Sequence, residues 1–216
     1  MTTNPQGLTA NQERTPIRIL GISGSLRKGS FNTGLLRAAQ DAAPAGVEIV
    51  IQEIRDLPFY DRDVEAEGDP APVVALKSAI RNADSIMFAT PKYNWRTSGV
   101  LKNAIDWASR DRSDGSLMGK PATIIGAGGR VGARPRPDAV TRTLGETRAL
   151  VMIKTGLQVM AFADQQFDSN GNLIGENTRE LLGRHVDALV KWTMQIARPH
   201  EFVSHACEMD AATAGA

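Results

Sequence analysis

Residues Gly21–Asn32 read Gly-Ile-Ser-Gly-Ser-Leu-Arg-Lys-Gly-Ser-Phe-Asn, between an apolar run and an amphipathic one. A strand–loop–helix turn this rich in Gly and Ser suits an anion. Small residues let the backbone approach closely, and the first N–H groups of a helix have no intrahelical partner. The Ser25 and Ser30 hydroxyls and the Asn32 amide add donors, and Arg27 adds the fixed charge that a phosphate favours. A Walker loop is excluded, because Gly29 is followed by Ser30 and not by Lys. The dinucleotide fingerprint is also missed, because Gly21 and Gly24 are three apart. The stretch therefore points to a phosphate that is not an obvious nucleoside triphosphate. A plain turn is the alternative, and such a turn has no need of Arg27 together with Asn32.

Two further stretches carry chemistry. Pro91-Lys92-Tyr93-Asn94-Trp95-Arg96 is an irregular, Pro-led loop. A flat heteroaromatic ring needs backbone polar groups at its edge and apolar surface on its faces, and Tyr93, Asn94 and Trp95 offer both. Packing on the domain or an oligomer contact would use the same residues. The third stretch, Gly126-Ala127-Gly128-Gly129-Arg130-Val131-Gly132, allows close backbone approach at Gly128 and Gly129. Pro135 and Pro137 delay the helix that a dinucleotide site requires, so a ring-contacting loop is the better reading. Arg130, Arg134 and Arg136 lie beside it and suit the phosphates of a nicotinamide cofactor or anionic acceptors, or else surface charge or subunit contacts. Asn103 and Asp106 read as solvated helix positions, and His185 as structural. His200, His205 and Cys207 have loose metal-like spacing in a tail with no supporting fold, so no metal is expected.

The elements that must position these loops alternate in type. Strands are expected over Ile17–Ser23, Val47–Ile54, Ser85–Thr90, Ala122–Gly126 and Gln158–Phe167. Helices are expected over Thr33–Ala43, Val73–Asn82, Val100–Arg110 and Asn177–Ala197. A long helix after Pro137 carries Val140, Leu144, Thr147 and Val151 on one stripe and stops at Gly156. Leu57–Asp69 reads as a loop. This alternation predicts an α/β fold: a doubly wound, five-stranded parallel sheet of flavodoxin type in a single domain. Ligands of such sheets bind at the carboxyl ends of the strands, where all three loops fall. Residues 1–15 read as a disordered N-terminal segment, 16–200 as the domain and 201–216 as a weak tail.

Composition narrows the partners. The formal charge is +1 over 216 residues. That argues against the basic excess of a nucleic-acid binder and counts against an acidic, charge-docked electron carrier. One cysteine excludes an intrachain disulfide framework. With neither a leader-like run nor a membrane-length apolar stretch, a cytoplasmic protein is expected.

Gly24-Ser25-Leu26-Arg27-Lys28-Gly29-Ser30-Phe31-Asn32 resembles the phosphate loop of the NAD(P)H-dependent FMN reductase family. Pro91-Lys92-Tyr93-Asn94, continuing through Gly99-Val100-Leu101-Lys102-Asn103-Ala104-Ile105-Asp106-Trp107, resembles its second signature. The subgroup is similar to the bacterial quinone and chromate reductases. The resemblance implies FMN as cofactor, NADPH or NADH as donor, and a homodimer or homotetramer with FMN near the subunit interface. By position, Ser25, Arg27, Ser30, Phe31 and Asn32 would hold the phosphate. Pro91, Lys92, Tyr93 and Asn94 would line the ring, with Trp95 beside them and Gly128 and Gly129 at its other edge. Lys92 stands where the family commonly has Glu, and Ser98 where it commonly has Pro. The implied activity passes electrons from the nicotinamide through FMN to quinones or to chromate, azo compounds or ferric complexes, with no side chain as acid or base. The alternatives are a flavin reductase serving a monooxygenase and a non-enzymatic electron-transfer flavodoxin.

Overall fold

The computed structural model describes residues 16–110, 115–128, 139–152, 157–160 and 166–197. Strand β1 (Ile17–Ser23) leads into helix α1 (Phe31–Asp41) and strand β2 (Val47–Gln52). Helices α2 (Arg62–Glu67) and α3 (Ala71–Arg81) precede strand β3 (Ser85–Ala89). A small hairpin of β4 (Lys92–Tyr93) and β5 (Arg96–Thr97) opens onto helix α4 (Gly99–Ser109). Strand β6 (Pro121–Gly128), helix α5 (Ala139–Glu146), strands β7 (Leu150–Val151) and β8 (Leu157–Met160) and helix α6 (Glu176–Ala197) follow.

The main sheet is parallel, in the order β2-β1-β3-β6. The fifth position is filled by two segments in turn. β7 pairs with Pro121 and Ala122 of β6, and β8 pairs with Ile125 to Gly128. This is the flavodoxin-like doubly wound fold. The two-residue period of each strand sends neighbours to opposite faces. Leu20 and Ile22 of β1, with Ile86 and Phe88 of β3, pack against α3, α4 and α5 through Leu76, Ile80, Leu101, Ile105 and Leu144. Ile19, Met87 and Ala89 pack on the other face, against α1 and α6 through Leu35, Leu36, Leu182, Val186 and Leu189.

Several expected elements differ in extent. α5 stops at Glu146, and Val151 lies in β7, opposite Ala122. The backbone leaves the helix through a turn in which Arg148 has φ 60°, so the apolar stripe from Val140 to Val151 joins two elements. β8 is four residues long, and Phe167 instead bridges Leu173 in antiparallel fashion. The stretch 57–69 contains α2, whose start is fixed by Asp61 accepting from the Asp63 N–H at 2.9 Å. Gly128 is the last residue of β6, paired with Met160, and not part of a loop. The N-terminal segment 1–15, the tail 201–216, Gly129, the Arg130/Arg134/Arg136 cluster, Gly156, His200, His205 and Cys207 lie outside the described residues. Among the described residues, no helix is long and apolar enough to cross a membrane, and no group of His, Cys, Asp and Glu could hold a metal.

Candidate functional site

The loop after β1 is laced to its neighbours by backbone bonds that extend the sheet. Gly24 N–H donates to the Ala89 carbonyl at 2.8 Å, and Thr90 N–H to the Ile125 carbonyl at 3.0 Å. The ends of β1, β3 and β6 thus meet in one place. Ser23 Oγ accepts from Thr33 Oγ1 at 2.8 Å, joining strand end to helix start. Ser30 caps α1, its hydroxyl accepting from the Thr33 N–H at 3.2 Å. Arg27 is exposed, with its guanidinium 4.6 Å from the centre of the Phe31 ring, and Phe31 stacks on Phe167. A charge held on an aromatic face beside a helix N-terminus suits a phosphate.

Asn32 has a different role from the one its residue type suggests. Its side chain is buried, and both ends of the amide meet Ala127: Nδ2 donates to the carbonyl at 3.2 Å, and Oδ1 accepts from the N–H at 2.9 Å. The amide is occupied in fixing α1 to β6. What Asn32 can still offer an anion is its backbone N–H in the first turn of the helix.

The second loop is a two-residue hairpin. Lys92 pairs with Thr97 and Tyr93 with Arg96. Asn94 and Trp95 at the tip have φ of 49° and 63°, the signature of a type I′ turn. Asn tolerates that region, whereas for Trp it costs about 1 kcal/mol or more. Lys92 Nζ lies 4.7 Å from the centre of the Trp95 ring. Pro91 is buried, while Trp95 is 74% exposed and Tyr93 57% exposed. Ser98 is buried and caps α4, with Oγ accepting from the Leu101 N–H at 3.4 Å.

Two observations test whether the residues present fit a bound group. A Cβ on Gly24 would stand 2.6 Å from Thr90 Oγ1 and 2.9 Å from Ser98 Oγ, so the loop lies directly against the two hydroxyls. The Thr97 hydroxyl is buried without a hydrogen-bond partner, a state that costs about 1–3 kcal/mol until something supplies one. Small residues, donors at a helix start, an exposed cation and an unmet hydroxyl fit a ligand with a phosphate at one end and a polar-edged ring at the other.

Residues outside the three loops complete the frame. The turn Asp168–Asn172 presses on the loop after β1. A Cβ on Gly171 would stand 2.6 Å from the Gly29 carbonyl oxygen, and one on Gly34 would stand 1.9 Å from the Gly171 carbonyl oxygen. Asp168 holds this turn, accepting from the Asn170 and Asn172 N–H groups at 2.9 and 2.8 Å. Bonds from the Asn172 backbone and then its side chain hold the Asp168 carboxyl below its ordinary range. Asn103 is not simply solvated: it accepts from Tyr60 N–H and donates to the Pro58 carbonyl, both at 2.8 Å. Asp106 pairs with Lys102. His185 Nε2 lies 2.8 Å from Thr123 Oγ1 in the buried interior, away from the loops.

The family model described as NADPH-dependent FMN reductase matches residues 17–163. The chain belongs to that family. Members are oxidoreductases, and the family's redox groups are FMN and a reduced nicotinamide; the site described above fits the first. An NAD(P)H-dependent FMN reductase of Pseudomonas aeruginosa is 40% identical over 181 residues, 83% of this chain and 97% of that one. An NADPH:quinone oxidoreductase of Arabidopsis thaliana is 42% identical over 186 residues, 83% of this chain and 93% of the relative. Among solved structures, a flavoenzyme NAD(P)H:(acceptor) oxidoreductase from Paracoccus denitrificans superposes with a TM-score of 0.69 at 30% identity, covering 82% of this chain and 97% of that one. The family match includes the β1 loop, the hairpin and the end of β6.

Proposed function

We propose that a quinone is the principal electron acceptor of this FMN reductase, with chromate, azo compounds and ferric complexes as lesser ones. The observation that carries this reading is the hairpin tip, where Tyr93 and Trp95 present aromatic surface to solvent beside the loops. Such surface suits a flat ring, and the quinone oxidoreductases among the relatives support the choice. In this reading Ser25, Arg27, Ser30, Phe31 and Asn32 hold the flavin phosphate, Asn32 through its backbone. Pro91, Lys92, Tyr93, Asn94 and Trp95 line the ring, with Gly128 and Gly129 at its other edge. Bound FMN supplies the chemistry, accepting a hydride from the nicotinamide and releasing the electrons to the acceptor. The chain's own part is to bind and orient.

The protein acts as a homodimer or homotetramer in the cytoplasm, where its donor is kept reduced. Phe59 supports the assembly: it is 85% exposed, yet Asn103 bonds the backbone on both sides of it. A rigidly presented aromatic of this kind suits an interface anchor.

Steady-state oxidation of NADPH with a quinone tests the reading. Donor and acceptor both need a flat face beside the hairpin, so they take turns, and double-reciprocal plots at several acceptor levels are expected to be parallel. Intersecting lines would show two separate places. Negligible quinone turnover with free reduced FMN accumulating would favour the supply of flavin to a monooxygenase.

A further inference from the structure

A second cleft adjoins the phosphate loop on its β2 side, away from the hairpin. It encloses about 440 Å³ between residues 25–28, the start of α1 and the residues that follow β2. Its walls carry four cations, Arg27, Lys28, Arg37 and Arg55, against two carboxylates, Glu53 and Asp56. Arg27 is turned onto Phe31. Arg37 and Arg55 are anchored otherwise. Arg37 Nε donates to Asn172 Oδ1 at 3.2 Å, and the Arg55 guanidinium donates to the Leu26 carbonyl. Each named bond uses one of a guanidinium's five N–H donors and fixes the head group at the cleft wall. A planar fork with donors to spare is the group that best grips a phosphate monoester.

We propose that this cleft takes the 2′-phosphate of the nicotinamide dinucleotide and sets a preference for NADPH over NADH. The inference rests on the reading that a nicotinamide is the donor. The 2′-phosphate is the one group that distinguishes the two donors, and it is a phosphomonoester. The wall chemistry suits it too. Where proteins discriminate the two donors, a carboxylate favours the 2′-hydroxyl of the adenosine ribose and an arginine the 2′-phosphate. Here Lys28, Arg37 and Arg55 share the cleft with Glu53 and Asp56. The cations outnumber the carboxylates, so the phosphate is favoured.

Calorimetric titration of the FMN-loaded protein with 2′,5′-ADP and with 5′-ADP decides the matter without turnover. The 2′,5′-nucleotide is expected to bind at least about tenfold more tightly, the scale of one charge-assisted bond. Arg37→Ala and Arg55→Ala should each remove most of that difference, and Arg55→Glu should invert it. In steady-state assays the same variants should lower kcat/KM for NADPH by about tenfold and leave NADH within about twofold. Equal affinity for the two nucleotides would overturn the proposal. So would variants that weaken both nucleotides alike, or that lose FMN, since Arg37 and Arg55 would then hold the flavin phosphate. If neither nicotinamide is oxidised, the donor reading fails, while the nucleotide comparison still decides the cleft.

Discussion

Asn32 commits both ends of its carboxamide to a single peptide unit, that of Ala127. A buried amide in this position is a clamp, and its removal leaves an N–H and a C=O unsatisfied. Asn32→Ala should therefore destabilise the protein by about 1–3 kcal/mol and weaken FMN binding with it. Asn32→Asp keeps the acceptor for the Ala127 N–H but sets a carboxylate oxygen against the Ala127 carbonyl, so it should be at least as harmful. Denaturant midpoints and FMN titrations on the two variants check this. Full stability with lost FMN would mean that the amide serves the ligand directly. Trp95 shows a different relation between residue and backbone. It holds a turn position that glycine fills without strain, so its exposed ring is kept against the preference of its own main chain.

At the scale of elements, the turn Asp168–Asn172 is the outer brace of the loop after β1. The folded-state pKa of Asp168 lies below its unfolded value, because Asn172 and Asn170 donate to the charged form. Its contribution is complete above the ordinary carboxylate value, about pH 4, and is lost as pH falls through the lower folded value. FMN should accordingly be released as the solution is acidified below about pH 4. Asp168→Asn should hold FMN less tightly at neutral pH and lose this acid step. Flavin fluorescence followed through an acid titration of both proteins reports it, and identical profiles would clear Asp168 of the role. The strands that build the site were legible because β-branched and apolar runs between Gly, Pro and Asp boundaries admit few alternatives, as in Ile17–Ser23 and Ser85–Ala89. The loop after β1 was legible as a loop because Gly and Ser between an apolar run and an amphipathic one end the strand before the helix begins. The Asn32 clamp was not, since an amide donor looks the same whether its partner is a ligand or a strand 95 residues away. Nor was the end of α5: Val151 continues a helical stripe by spacing alone, and only pairing with Ala122 shows it to be a strand.

For the molecule as a whole, the sheet order brings together segments that are far apart in the chain. The β1 loop meets Ala89 and Thr90 of the β3 end, Ala127 of the β6 end, and Gly171 just before α6. The core face under α1 is closed by Leu182, Val186 and Leu189, near the end of the described chain. The loop after β1 is therefore made well before the segments that brace it. On a ribosome adding about 5–20 residues per second, its brace arrives on the order of ten seconds later. Nascent chains arrested before Phe167 emerges should leave FMN fluorescence unquenched, and chains arrested after α6 has emerged should quench it. Quenching by the shorter chains would show that the loop binds unaided. In cellular terms, flavin capture would wait for α6, and a shortage of FMN would leave apoprotein behind without interrupting its synthesis.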